Sequence, residues 1–198
     1  QGEEQEAARA MGYEPPSCAA ARSVIGLGHA DMMRRALPEC PESDYGRFAG
    51  EYWKAYIRGE AQLSGIRPGM QRLLSAMRSA GLWSAVATGK SRRGLDRVME
   101  KTGSGPLFVA TATADEYAPK PAPDMLQALS EELCVPLSRM VMVGDAVHDL
   151  DMAAHAGAAA VAVTWGAGGR AELEGRKPLA VVDDERELAA ALGLARLL

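Results

Sequence analysis

The residues best equipped for chemistry follow the apolar run Met140-Val141-Met142-Val143, where the chain reads Gly144-Asp145-Ala146-Val147-His148-Asp149. If a helix starts there, Asp149 lies one turn beyond Asp145 and both carboxylates can face one pocket. Two acids at a strand end and a helix amino terminus suit a hard cation such as Mg²⁺, which takes few carboxylates and fills its shell with water and substrate phosphate. The plainer reading is an N-cap aspartate with an unrelated surface acid. A buried strand before the pair favours the cation site. His148 reads as an exposed neighbour, and His29 and His155 as surface residues rather than ligands.

Three other strand ends carry polar groups. Thr88-Gly89-Lys90 follows Ala85-Val86-Ala87 and offers a hydroxyl, a glycine amide open to close approach and a nearby helix amino terminus, as a phosphate oxygen requires. A helix cap with a tight turn explains the same residues. Lys120 precedes Pro121-Ala122-Pro123, whose prolines hold the segment extended and aim the ammonium towards a carboxylate or a phosphoryl group. Lysines are mostly solvated, which is the competing explanation. Thr164-Trp165-Gly166-Ala167-Gly168-Gly169 follows another apolar run. Its spacing does not match a dinucleotide fingerprint, so it reads as a loop flanking the pocket.

The elements that must position these groups alternate. Strands are expected at Leu82 to Ala87, Leu107 to Thr111, Arg139 to Val143, Ala159 to Val163 and Leu179 to Val182. Helices are expected at Met70 to Ala80, Ser91 to Lys101, Ala122 to Leu133, Ala146 to Ala156 and Glu185 to Leu192. Short apolar strands separated by helices imply an α/β fold, a doubly wound parallel sheet with helices on both faces and ligands at the strands' carboxyl ends. Residues 1–63 differ: Glu3 to Met11, His29 to Leu37 and Ser43 to Arg58 read as helices, the last with Tyr45, Phe48, Tyr52, Tyr56 and Ile57 on one face. A small helical domain at 1–63 therefore precedes an α/β core at 64–198. The 198 residues allow one sizeable core and a small accessory domain.

With 47% apolar and 24% charged residues, the chain has a globular composition. A formal charge of -4 argues against a nucleic-acid partner and leaves room for a small anionic substrate met by local basic groups such as Lys90 and Lys120. Cys18, Cys40 and Cys134 form neither a metal pattern nor a disulfide framework, which fits a reducing cytoplasm. No apolar run reaches the ~18 residues of a membrane span, and the acidic start is unlike a signal peptide.

The order of these signals is specific: a threonine after one strand, a lysine before Pro-x-Pro, then Gly-Asp-x-x-x-Asp after the next strand. It resembles the haloacid dehalogenase superfamily, a Rossmann-like fold with an α-helical cap. Val86-Ala87-Thr88-Gly89-Lys90-Ser91 and Gly144-Asp145-Ala146-Val147-His148-Asp149-Leu150 are similar to its bacterial phosphoglycolate-phosphatase-like branch. The resemblance implies a Mg²⁺-dependent phosphomonoester hydrolase working through an aspartyl-phosphate. Thr88, with Gly89 and Lys90, would bind the phosphoryl group, Lys120 would neutralise it, Asp145 and Asp149 would hold Mg²⁺, and Ile25 to His29 would help select the substrate.

The family's nucleophile, the first aspartate of Asp-x-Asp-Gly-Thr after the first core strand, has no counterpart here. Asp31 and Asp44 have no strand before them. The expectation is that this strand, central in the sheet, is absent from the chain, leaving a slot of about 10 Å between its neighbours. The chain alone would then be inactive or nearly so. It would be completed by a segment outside this sequence, or by a second copy in a homodimer that pairs the open edges. The alternative is a non-catalytic binding protein that keeps the Mg²⁺ and phosphate pocket.

Overall fold

Short runs rich in alanine and valine, each closed by a turn, form the strands β1 (Ala85–Thr88), β2 (Ala110–Thr113), β3 (Val141–Gly144), β4 (Ala159–Val163) and β5 (Ala180–Val182). The computed structural model describes residues 2–17, 20–21, 24, 29–61 and 65–197. Ile25 to Gly28 lie outside the described residues, as do the side chains of His29, Asp31, Tyr56 and Ile57. The chain forms two compact units, Gln1–Ser64 and Gly65–Leu198.

In the first unit, α1 (Glu3–Ala10), α2 (His29–Ala36) and α3 (Tyr45–Ala61) gather Ala7, Ala8, Met33, Leu37, Cys40 and Phe48 into a core. Phe48 is fully buried, and Tyr45 and Tyr52 pack against the same cluster, so these three residues of α3 turn inward. Gln5 donates to the Pro16 carbonyl at 2.8 Å, and the Tyr13 hydroxyl donates to Asp44 Oδ2 at 2.6 Å.

The second unit alternates strands with α4 (Pro68–Ser79), α5 (Arg92–Thr102), α6 (Asp124–Leu133), α7 (Val147–Ala156), α8 (Arg170–Glu174) and α9 (Glu185–Ala191). Strand periodicity decides which helix covers which face. Val161 and Val163 of β4 meet Leu73 of α4 and Leu188 of α9. Ala160 packs on the other side, against a cluster that includes Met125, Leu126 and Leu129 of α6 and Met152 of α7. The result is the expected parallel, doubly covered α/β architecture. Among the described residues no helix is long and apolar enough to cross a membrane.

Two differences from the sequence expectation follow from pairing. β1, β2, β3 and β5 start one to three residues late, because Trp83, Val109 and Leu179 precede the parallel ladders and stay 59, 51 and 68% exposed. Among the described residues β1 pairs with β2, and β3 with β4 and β5, with no pairing between β1 and β3, the place of the slot expected above. Although β1, β2, β3 and β4 all contribute to the cluster beneath α6 and α7, β1 and β3 each have one strand neighbour among the described residues. The strand before Asp145 is accordingly not a buried one; Val141 is 42% exposed. The five-residue α8 was not expected, being too short to show a helical period.

Candidate active site

Gly144 ends β3, and the chain turns through Asp145 into α7, whose N-cap is Ala146. Alanine offers no side-chain acceptor, so capping falls to Asp149 at the third helical position, whose Oδ2 accepts from the Asp145 and Ala146 amides, both at 3.1 Å. The other oxygen, Oδ1, accepts from Lys120 Nζ at 2.5 Å. Both side chains are buried, at 9% exposure for Lys120 and 8% for Asp149. Asp149 is thus not a surface acid. Its placement requires Gly144, where a Cβ would overlap the Asp149 side chain. His155 fixes the lysine segment from the other end of α7, with Nδ1 2.8 Å from the Pro121 carbonyl.

Asp145 is held differently. The loop after β4 folds over it: the Ala167 amide donates to Asp145 Oδ2 and the Gly168 amide to the Asp145 carbonyl, both at 2.7 Å. A Cβ on Gly166 would collide with the Asp145 carboxylate, and one on Gly168 would stand 2.5 Å from the Asp145 carbonyl oxygen. Among the described residues Asp145 Oδ1 takes no hydrogen bond. One carboxylate oxygen is therefore available to a hard cation. Among the described residues no three of His, Cys, Asp and Glu gather into a metal cage.

Sequence reasoning placed Asp145, Asp149 and Lys120 in the site but took the glycine loop as mere flank. Its glycines do not follow a nucleotide fingerprint because they serve close approach to a carboxylate and a carbonyl of Asp145. His148 was expected to be exposed and is 8% exposed. As the second residue of α7 it lies beside Asp149 on the side of the helix turned into the fold.

The phosphate-type group sits at the end of β1, in the other sheet. The Thr88 hydroxyl accepts from the Lys90 amide at 3.2 Å, a tight turn. The cap of α5 is Ser91, which accepts from the Gly94 amide at 3.2 Å, so Thr88 is not needed as the helix cap. Thr88 and Gly89 share no hydrogen bond with Lys120, Asp145 or Asp149 among the described residues. What locks their loop is a cluster that sequence reading did not single out. Arg92 grips Glu116 through Nε and Nη2 at 3.0 and 2.7 Å and reaches the Thr111 hydroxyl and carbonyl at 2.7 and 3.1 Å. Its amide donates to Asp115 Oδ1 at 2.8 Å, and Thr113, fully buried, has its hydroxyl within 2.6 Å of Asp115 and 2.8 Å of Glu116. The Ala114 amide donates to the Lys90 carbonyl at 3.2 Å, tying this clamp to the Thr88 turn. The guanidinium of Arg92, then the Thr113 hydroxyl, hold the Glu116 carboxyl down to about 2. The Thr113 hydroxyl and the Arg92 amide lower Asp115.

Comparison with known proteins bears on this geometry. A model of the haloacid dehalogenase-like hydrolase family matches residues 2–157. The chain is 32% identical over 176 residues, 87% of its length and 76% of the relative's, to a Dickeya dadantii protein named Probable phosphatase IndB. It is 29% identical over 191 residues to the phosphoglycolate phosphatase of Vibrio parahaemolyticus, covering 92% of this chain and 84% of that one. A hydrolase from Pseudomonas syringae shares the fold at a TM-score of 0.85 and 23% identity, over 96% of this chain and 88% of that one. So does CbbY from Rhodobacter sphaeroides in complex with phosphate, at 0.78 and 22%, over 97% and 90%.

Proposed function

The chain belongs to the haloacid dehalogenase-like hydrolases, and from that premise we propose that it serves the hydrolysis of small phosphomonoesters, phosphoglycolate-like acids among them, with Mg²⁺ as cofactor. The observation that carries this reading is the buried Lys120–Asp149 pair beside an Asp145 with one carboxylate oxygen open. Of the two acids expected to hold the cation, Asp145 is the direct ligand. Asp149 serves the site by fixing Lys120 and the turn that carries Asp145. When bound, Mg²⁺ would draw charge from the phosphoryl oxygens and relieve their repulsion of an attacking carboxylate.

The chain's own residues supply the rest. The Thr88 hydroxyl still has its proton to donate while accepting from Lys90, and with the Gly89 amide it binds a phosphoryl oxygen. The Lys120 ammonium balances the charge that grows there and is kept aimed by Asp149. The helical unit, by the family resemblance, takes part in choosing the substrate. The attacking carboxylate belongs on a strand between the open edges of β1 and β3. Two features support this: those edges have no partner among the described residues, and the acids following β2 and β5 (Asp115, Glu116 and Asp183) are engaged by arginine and threonine.

A panel of phosphate esters, assayed with the 198-residue chain and with the chain plus any in-frame coding sequence upstream of Gln1, tests the reading. Hydrolysis by the longer protein alone is expected. Equal turnover by both would overturn the assignment of the attacking group. Binding of Mg²⁺ and phosphate without turnover by either would assign the pocket to a binding protein.

A further inference from the structure

We propose that Thr164, Arg170 and Asp183 form a latch that positions Asp145 for its cation, acting through the glycine loop between β4 and α8. This rests on the reading of Asp145 as the cation ligand. The loop holds Asp145 by two amides, and Gly166 and Gly168 leave no clearance above it. A segment with glycines at 166, 168 and 169 has much conformational freedom to lose, so something must fix its course.

Both of its ends are tied to one carboxylate. The Thr164 hydroxyl donates to Asp183 Oδ1 at 2.6 Å, while its amide donates to the Val182 carbonyl at 3.1 Å. At the far end, Arg170 Nη2 lies 2.6 Å from both oxygens of Asp183. Asp183 is itself seated by its amide, which donates to Glu187 Oε2 at 2.8 Å. Within the loop, Trp165 lies under the Arg67 guanidinium, 5.1 Å from the ring centroid. Closing the loop on Asp183 reduces the backbone courses open to it, and the Ala167 amide stays in line with Asp145 Oδ2. Oδ1 then keeps a fixed direction for the cation.

The latch is exposed, with Arg170 at 45% and Asp183 at 60%. Exposed ion pairs contribute little to global stability. Its removal should therefore weaken cation binding without lowering the unfolding midpoint, which separates positioning from mere support. Mn²⁺ binding to the 198-residue chain, read from the electron spin resonance of the free ion and paired with thermal unfolding, tests this. Asp183→Ala and Gly166→Ala are expected to weaken Mn²⁺ binding about tenfold or more, the range for groups that orient a metal ligand. Arg176→Ala breaks a comparable exposed pair, with Asp151 at 2.7 Å, and should change neither readout. Unchanged binding in Asp183→Ala would overturn the latch. So would a loss of binding that tracks a midpoint lowered well beyond that of Arg176→Ala. If Asp145→Asn binds Mn²⁺ as the parent does, the cation reading of Asp145 fails, and the latch with it.

Discussion

Lys120 and Asp149 are each other's principal charge partner in a place with little water. Removing one partner strands the other. Lys120→Met should destabilise the chain by about 3 to 5 kcal/mol, as for other broken buried pairs, a shift readable from the urea midpoint. A change below ~1 kcal/mol would mean that water reaches Asp149 freely. Lys120, Asp145 and Asp149 were visible in the sequence, the two acids by their place after an apolar run and the lysine by the two prolines that follow it. Their division of labour was not. Which acid takes the lysine depends on the turn at Gly144 and on a segment 29 residues upstream of Asp149, and neither leaves a periodic trace. Gly144→Ala tests the same point from the backbone side. The added methyl must displace Asp149, at a cost of roughly 1 to 3 kcal/mol typical of overpacking, and Mg²⁺ affinity should fall with it. A variant as stable as the parent would show that Asp149 can move aside.

At the scale of elements, the strand ends are held by loops that grip one another across the sheet. The Arg92 clamp joins the turn after β1 to the turn after β2. Because the Glu116 carboxyl is lowered from 4.5 to about 2, its contribution is fully present above about 4.5 and is lost as pH falls through about 2. A carbon-13 titration of Glu116 should therefore show its midpoint near 2, moving up towards 4.5 in Arg92→Ala. A midpoint already near 4.5 in the parent would mean that the clamp is not formed in solution. The alternation of strand and helix was legible because apolar runs and amphipathic stretches follow fixed periods. The late strand starts were not, since an apolar residue such as Trp83 or Val109 belongs to a strand only where a neighbour's ladder reaches it. The clamp escaped notice for a related reason: Arg92 meets Glu116 only once β1 and β2 are in register.

At the scale of the whole molecule, the open edges of β1 and β3 dominate. Unpaired strand edges invite another strand. We propose that the 198-residue chain on its own associates through them, so light scattering should report a dimer or larger assembly; a stable monomer would argue that the edges are closed in another way. The α/β class and the two halves of the site could be inferred from sequence because they are local. The interruption between β1 and β3 is legible as well, as the slot left where no apolar run followed by Asp-x-Asp-Gly-Thr is found. The measurement that bears most directly on function is the steady-state hydrolysis of phosphoglycolate and related esters with Mg²⁺, comparing whichever form of the protein turns over the ester panel with its Asp145→Asn variant. The predicted result is a fall in kcat/KM of about a hundredfold or more, as when one preorganised charge-stabilising group is removed. An Asp145→Asn variant with the parent's activity would contradict the assignment of this site to phosphoryl transfer.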